Sequence, residues 1–256
     1  MTRLDLAALD LTWQAWTIAI LAILFAAVLR GFTGFGFALA AVPLASIALP
    51  PSQTVAAVLV MQLGIGLRDC IAEWRQADKP GIARLTLGAL LGLPLGVAAL
   101  AHTPAPVARA VLGVLVLLAV ALTWKPRPAQ HRPAAAVTLG TGFVSGVFHG
   151  LAAMAGPPAV AYYLAFEQRL PVMRSSLMVY FPIVSLLGLP MVASAGLLDA
   201  PALLLGLLGM PLMVVGGWIG ARGFLRFGAR SYRMLTLAAL LFTAAASLAR
   251  AAADML

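Results

Sequence analysis

Residues 13–43 read WQAWTIAILAILFAAVLRGFTGFGFALAAVP. From Trp13 to Leu29 the run is apolar and uncharged, and about 20 such residues in a helix cross the roughly 30 Å hydrocarbon core of a bilayer. Arg30 then intervenes, followed closely by Gly31, Gly34 and Gly36 and later by Pro43, a density of helix breakers that ends a regular helix. Apolar sequence nevertheless continues to Leu49, so the segment is too long for one straight crossing. Irregular backbone at membrane depth is tolerated only where it meets protein or lines a cavity. The stretch therefore specifies a membrane helix broken at a sheltered place.

The rest of the chain is of the same kind. It is 62% hydrophobic and 10% charged with a mean hydropathy of +1.01, whereas a soluble domain carries about 25% charged residues. Such a chain cannot cover its own surface with polar groups. Further apolar segments lie near 52–72, 82–101, 107–124, 134–166, 174–194, 201–221 and 231–249. The fifth segment, 134–166, is again too long for a simple span and contains Gly142, Gly146, Gly150, Gly156, Pro157 and Pro158, which read as a second break. The expected fold is an all-α integral membrane protein of about eight transmembrane segments, the first and fifth broken or re-entrant. Asp5 and Asp10 before the first apolar run argue against a cleaved signal peptide. A multi-pass protein of a bacterial inner (cell) membrane is expected.

Short words recur between the two ends of the chain. Leu49-Pro50 before Ser52 and Thr54 resembles Leu170-Pro171 before Ser175 and Ser176; Leu91-Gly92-Leu93-Pro94-Leu95 resembles Leu208-Gly209-Met210-Pro211-Leu212; Ala108-Arg109 resembles Tyr232-Arg233. The offsets, 117 to 124 residues, suggest a first repeat over 13–124, a polar linker over 125–133 and a second repeat over 134–249.

Charge orients them. If every segment crosses once, Arg222, Arg226, Arg230 and Arg233 fall opposite Arg68, Arg75, Lys79, Arg84, Lys125, Arg127 and Arg132, against the tendency of basic loops to lie in the cytoplasm. If the fifth segment enters and leaves by one side, these residues join Arg169 and Arg174 inside, thirteen of the 17 Lys and Arg, leaving Arg3, Arg109 and Arg250 outside and Arg30 within an apolar run. The second half is then an inverted copy of the first, a plan of secondary transporters that bind substrate near the midplane. The same scatter of basic residues explains the net charge of +9 and pI near 11.0 by anionic lipid rather than nucleic acid.

Candidate chemistry concentrates at the breaks. Arg30 is costly in lipid and must face a partner, water or an interface; it either snorkels to the surface or joins backbone N–H groups of the break in an anion cradle. His149 stands at the second break as a packing residue or a proton carrier. Thr33 and Ser145 could add hydroxyl groups, while Gln62, Tyr162, Tyr163, Ser175, Ser176 and Tyr180 are weaker candidates. Asp69 and Glu73 read as loop residues among arginines, which leaves no clearly buried carboxylate. Cys70 cannot form an internal disulfide, and no spacing suggests a metal or cofactor. Phosphate-loop and common hydrolase motifs are absent from the sequence, so the chain is not expected to be an enzyme or to spend nucleotide itself.

Gly31-Phe32-Thr33-Gly34-Phe35-Gly36-Phe37 ending at Pro43, with Ser145-Gly146 followed by Gly156-Pro157, resembles the two signatures of the sulfite exporter TauE/SafE family. The resemblance covers nearly the whole chain; Phe37-Ala38-Leu39-Ala40 carries fewer glycines than the first signature usually does. It implies an exporter of a small sulfur anion such as sulfite, thiosulfate, sulfoacetate or another organosulfonate. The partners expected are that anion, membrane lipid and a coupling ion, H+ or Na+. Substrate would lie between the breaks, at Arg30, Gly31, Thr33, Gly34, Gly36, Ser145, Gly146, His149, Gly150, Gly156 and Pro157, with one half rocking against the other. An anion channel or a membrane subunit of a larger complex is the alternative.

Overall fold

The computed structural model describes residues 12–33, 36–124, 133–167 and 169–255, and of residues 32, 33, 123, 124, 170 and 224–236 the backbone alone. Residues 125–132 of the 125–133 linker, Gly34 and Arg3 lie outside the described residues. Among the described residues the secondary structure is helical: α1 (Trp13–Thr33), α2 (Phe37–Ala45), α3 (Pro51–Glu73), α4 (Lys79–His102), α5 (Ala105–Trp124), α6 (Ala135–Ala152), α7 (Gly156–Phe166), α8 (Leu170–Ser194) and α9 (Ala200–Met255). Eight stretches are long and apolar enough to span a membrane: α1, α3, α4, α5, α6, α8 and two arms of α9, Ala200–Gly223 and Leu237–Met255.

α2 and α7 are the exceptions. Their 9 and 11 residues reach only about 14 and 17 Å, half a bilayer. Arg30 meets Asp69 near the C-terminal ends of α1 and α3. Near their N-terminal ends, Trp16 and Gln53 share a crevice with Leu49 and Ala202. α1 and α3 thus run in the same direction, and α2 with residues 46–50 brings the chain back to the face where α1 began. The second break does the same from the opposite face. Pro133 before α6, Phe166 at the end of α7 and Val172 in the first turn of α8 line one crevice with Arg84 of α4. Both long segments are therefore helical hairpins, opening on opposite faces.

Helical backbone continues through α9, yet both its ends lie on the face where α1 starts. Asp199 accepts from Gln53, while Asp254 pairs at 2.6 Å with Arg109, whose Nε donates to Ser46 O at 2.6 Å and Nη2 to Leu49 O at 3.3 Å. The return falls between the two arms. Arg109 thus supplies a cation to the carbonyl end of the α2 half-helix, where the helix dipole favours one. On the other face stand Arg75, Lys79, Arg84, Arg169, Arg174 and Arg222, with Lys79 over the Trp74 ring and Arg222 3.5 Å above that of Trp218. Basic loops of membrane proteins tend to lie in the cytoplasm, so that face is the one expected there.

The glycines of the fifth segment require a correction. Gly142, Gly146 and Gly150 do not break α6, which is continuous to Ala152. Spaced four apart, they form one stripe that interlocks with Gly88, Gly92 and Gly96 of α4, and a methyl group on any of the six would sit 2.1–2.5 Å from a backbone carbonyl oxygen of the facing helix. Small residues allow this approach, which close van der Waals packing rewards in lipid. A looser version joins α1 to the first arm of α9: a methyl on Gly31 would lie 2.1 Å from Gly217 O, and one on Gly216 2.6 Å from Ala27 Cβ. Each half therefore welds its first helix to the fourth of the other half. Two bodies can be drawn around these welds, α1–α2–α3 with the first arm of α9 and α6–α7–α8 with α4, each mixing elements of both halves of the sequence, and α3 packs closely on α8 across the seam between them.

Candidate functional site

The two breaks meet. A cavity of about 50 Å³ lies between the bodies, lined on one side by Arg30, Gly36, Phe37, Gln62 and Gly66, with Met213 of α9, and on the other by Ala153–Gly156, Met178 and Phe181. A water needs roughly 10–15 Å³ measured this way, so there is room for a few waters or one small ion.

Local backbone explains the first break. Gly36 caps α2 at φ 89°, a left-handed conformation that a Cβ disfavours. The following N–H groups, of Phe37, Ala38 and Leu39, belong to the first turn of α2 and have no acceptor within their own helix; all three residues line the cavity. At the second break Ala153 takes φ 55°, unusual for a residue with a side chain. Its N–H donates to His149 O at 2.7 Å and its carbonyl accepts from Gln62 Nε2 at 3.1 Å. Ser145 supports the break from behind: it donates to Ala155 O at 2.7 Å and accepts from Tyr180 OH at 2.8 Å. The α7 terminus offers fewer donors than α2, because Pro157 and Pro158 have no N–H.

Arg30 is not alone. Its guanidinium pairs with Asp69 at 2.5 Å, both side chains about one-fifth exposed. Asp69 and Glu73 belong to the last turns of α3 rather than a loop, and Glu73 accepts from Ser175 of α8 at 2.5 Å. The end of α3 therefore holds a part-buried carboxylate, tied to the one cation among the described residues that line the cavity. The dipole of α2, Arg30 and the free hydrogen capacity of Gln62 make the cavity a place for negative charge.

The expected residues divide sharply. Arg30, Gly36 and Gly156 line the cavity. Gly31, Gly146 and Gly150 are spent on helix contacts and Ser145 on holding the break; Pro157 is buried in the first turn of α7. The Thr33 side chain and Gly34 fall outside the described residues. His149 is fully buried beside the cavity, its Nε2 3.2 Å from Ser185 Oγ, which donates at 3.2 Å to Gln62 Oε1. Gln62, a minor candidate in the sequence, thus becomes the central polar side chain; its place midway along an apolar helix was the available signal. The α2 amides and the Met178, Phe181 and Met213 walls had none.

The profile of the sulfite exporter TauE/SafE family matches residues 19–247. A curated relative from Cupriavidus necator, "Probable sulfite/organosulfonate exporter TauE", is 28% identical over 202 residues, covering 74% of this chain and 77% of its own length. No solved structure matches the chain. A match that spans both broken hairpins and the six further spans settles the family: this multi-pass membrane protein belongs to the sulfite exporter TauE/SafE family.

Proposed function

We propose that the chain is a secondary transporter that exports a small sulfur-containing anion, sulfite or a short organosulfonate, through the cavity between the two breaks. The observation that carries this is the convergence of the α2 N-terminus, Arg30 and Gln62 on that cavity. The family and the name of the relative support an anion of this class. Substrate would accept hydrogen bonds from the amides of Phe37, Ala38 and Leu39 and from Gln62, and share Arg30 with Asp69, while Met178, Phe181 and Met213 exclude water.

In this reading, 13–124 and 134–249 are inverted repeats, an arrangement supported by hairpins that open on opposite faces. Alternating access follows when the two interlocked bodies tilt against each other across the α3–α8 seam. That seam is bridged by Gln62–Ser185 and Glu73–Ser175, contacts that can be remade in the other state. A coupling ion, H+ or Na+, would act at the same seam.

Proteoliposomes holding the purified protein should take up radiolabelled sulfite, and thiosulfate or a small sulfonate in competition with it, saturably. Gln62→Leu should raise KM with little change in protein folding. Ion currents too large for carrier turnover would favour a channel instead, and absence of uptake under every ion gradient by correctly folded protein would defeat the assignment.

A further inference from the structure

His149 does not touch the cavity, yet it is a fully buried ionisable ring whose Nδ1 has no hydrogen-bond partner. Its other nitrogen begins a chain that ends at the break: His149 Nε2 to Ser185 Oγ, Ser185 Oγ to Gln62 Oε1, Gln62 Nε2 to Ala153 O, at 3.2, 3.2 and 3.1 Å. We propose that His149 is a positioning residue, which through Ser185 holds the Gln62 amide with its nitrogen end, an N–H donor, toward the anion cavity. The consequence for transport rests on the function proposed above; the proton positions do not.

Each link has a direction. The Ala153 carbonyl can only accept, so exchanging the ends of the Gln62 amide would set two oxygens face to face. The amide oxygen therefore takes the Ser185 hydroxyl hydrogen. A serine has one such hydrogen, so its oxygen is left as an acceptor for His149, whose proton must then sit on Nε2. Nδ1 is then left bare, and it makes no hydrogen bond of its own. A neutral ring protonated on Nε2 satisfies every member of the chain. Gln62 keeps its second N–H for the cavity it lines.

The ring is needed because a serine inside a helix has an easier partner, the carbonyl one turn back. Ser176, in the same α8, takes that option by donating to Val172 O at 2.7 Å. Without a donor from His149, Ser185 is free to do likewise, which removes its bond to the Gln62 oxygen and leaves the Ala153 carbonyl alone to hold the amide. An amide held at one end only would present its second N–H to the anion less well while leaving the helices packed.

The test compares sulfite uptake by full-length His149→Phe, Ser185→Ala, the double variant and His149→Gln, whose amide can replace the Nε2–H donor. Loss of one hydrogen bond to a charged ligand predicts roughly a tenfold or greater rise in KM for His149→Phe and for Ser185→Ala. The double variant should be no worse than either single one, and His149→Gln should return close to wild type. Additive losses, or a His149→Gln as poor as His149→Phe, would show a merely structural role and overturn the proposal. Ring 15N spectra of histidine-labelled protein, assigned by loss of the signal in His149→Gln, read the chain independently of transport. A protonated Nε2 with a bare Nδ1 supports it, and an Nδ1–H ring overturns it. Wild-type protein that moves no sulfite would count against the transporter reading alone, with the ring spectrum still deciding the relay.

Discussion

Gly146→Ala and Gly140→Ala place the same methyl group on the same helix, six residues apart, in opposite surroundings. At 146 the new carbon would stand 2.3 Å from Ala89 O and 2.6 Å from Ala89 Cα, whereas at 140 it meets nothing within 4 Å. A comfortable contact is about 3.5 Å, so α4 and α6 must part locally by roughly 1 Å for Gly146→Ala. Overpacking of that kind costs about 1–3 kcal/mol. The gain from replacing a helical glycine by alanine, up to about 1 kcal/mol, is common to both variants and cancels in their difference. For a chain of this size each kcal/mol moves the melting point by about 2–4 °C. Thermal unfolding in detergent, followed by size-exclusion chromatography, should therefore rank Gly140→Ala at or above wild type and Gly146→Ala several degrees below Gly140→Ala. A Gly146→Ala variant that melts with Gly140→Ala would refute the interlocked stripe and with it the two-body description.

In the proposed site substrate would compete with Asp69 for Arg30, so Asp69→Asn should lower the KM for sulfite severalfold, while Arg30→Ala raises it tenfold or more, as expected for a charge-assisted bond; proteoliposome uptake reads both. Ala153→Gly relieves a left-handed alanine and should raise thermal stability by up to about 1 kcal/mol, whereas Ala153→Val should lower it and disturb the break. Arg109→Ala strips two carbonyls of the α2–α3 turn of their donor and leaves Asp254 with Arg250 alone. It should cost roughly 2–4 kcal/mol in the same melting assay, and Arg109→Lys should recover only part of it because a lysine cannot fork.

Much of this architecture is legible in the sequence because lipid permits so few solutions. Segment length and the distribution of Lys and Arg suffice for eight spans and for a fifth segment that returns to its own side. Glycine was the ambiguous letter. At Gly36 it allows the left-handed turn that opens a helix, but in Gly142, Gly146 and Gly150 the same residue at a spacing of four packs one, and only the partner stripe on α4 distinguishes the two uses. Asp69 was hidden for a related reason: its distance from Arg68 and Arg75 in sequence looks like a loop, yet it lies on the helical face that meets Arg30, 39 residues away. The groups proposed to face an anion are mostly backbone amides, which carry no side-chain signature. Gln62 and Ser185 gain their meaning from a chain that joins residues 123 positions apart.

The most direct test of the anion site is to see the anion. Selenite, a heavier congener of sulfite that scatters strongly, should appear in a structure of the purified protein as density beside Arg30 and Gln62, within hydrogen-bonding distance of the Phe37–Leu39 amides. Saturable transport together with density at another place, and none between the two breaks, would contradict the account.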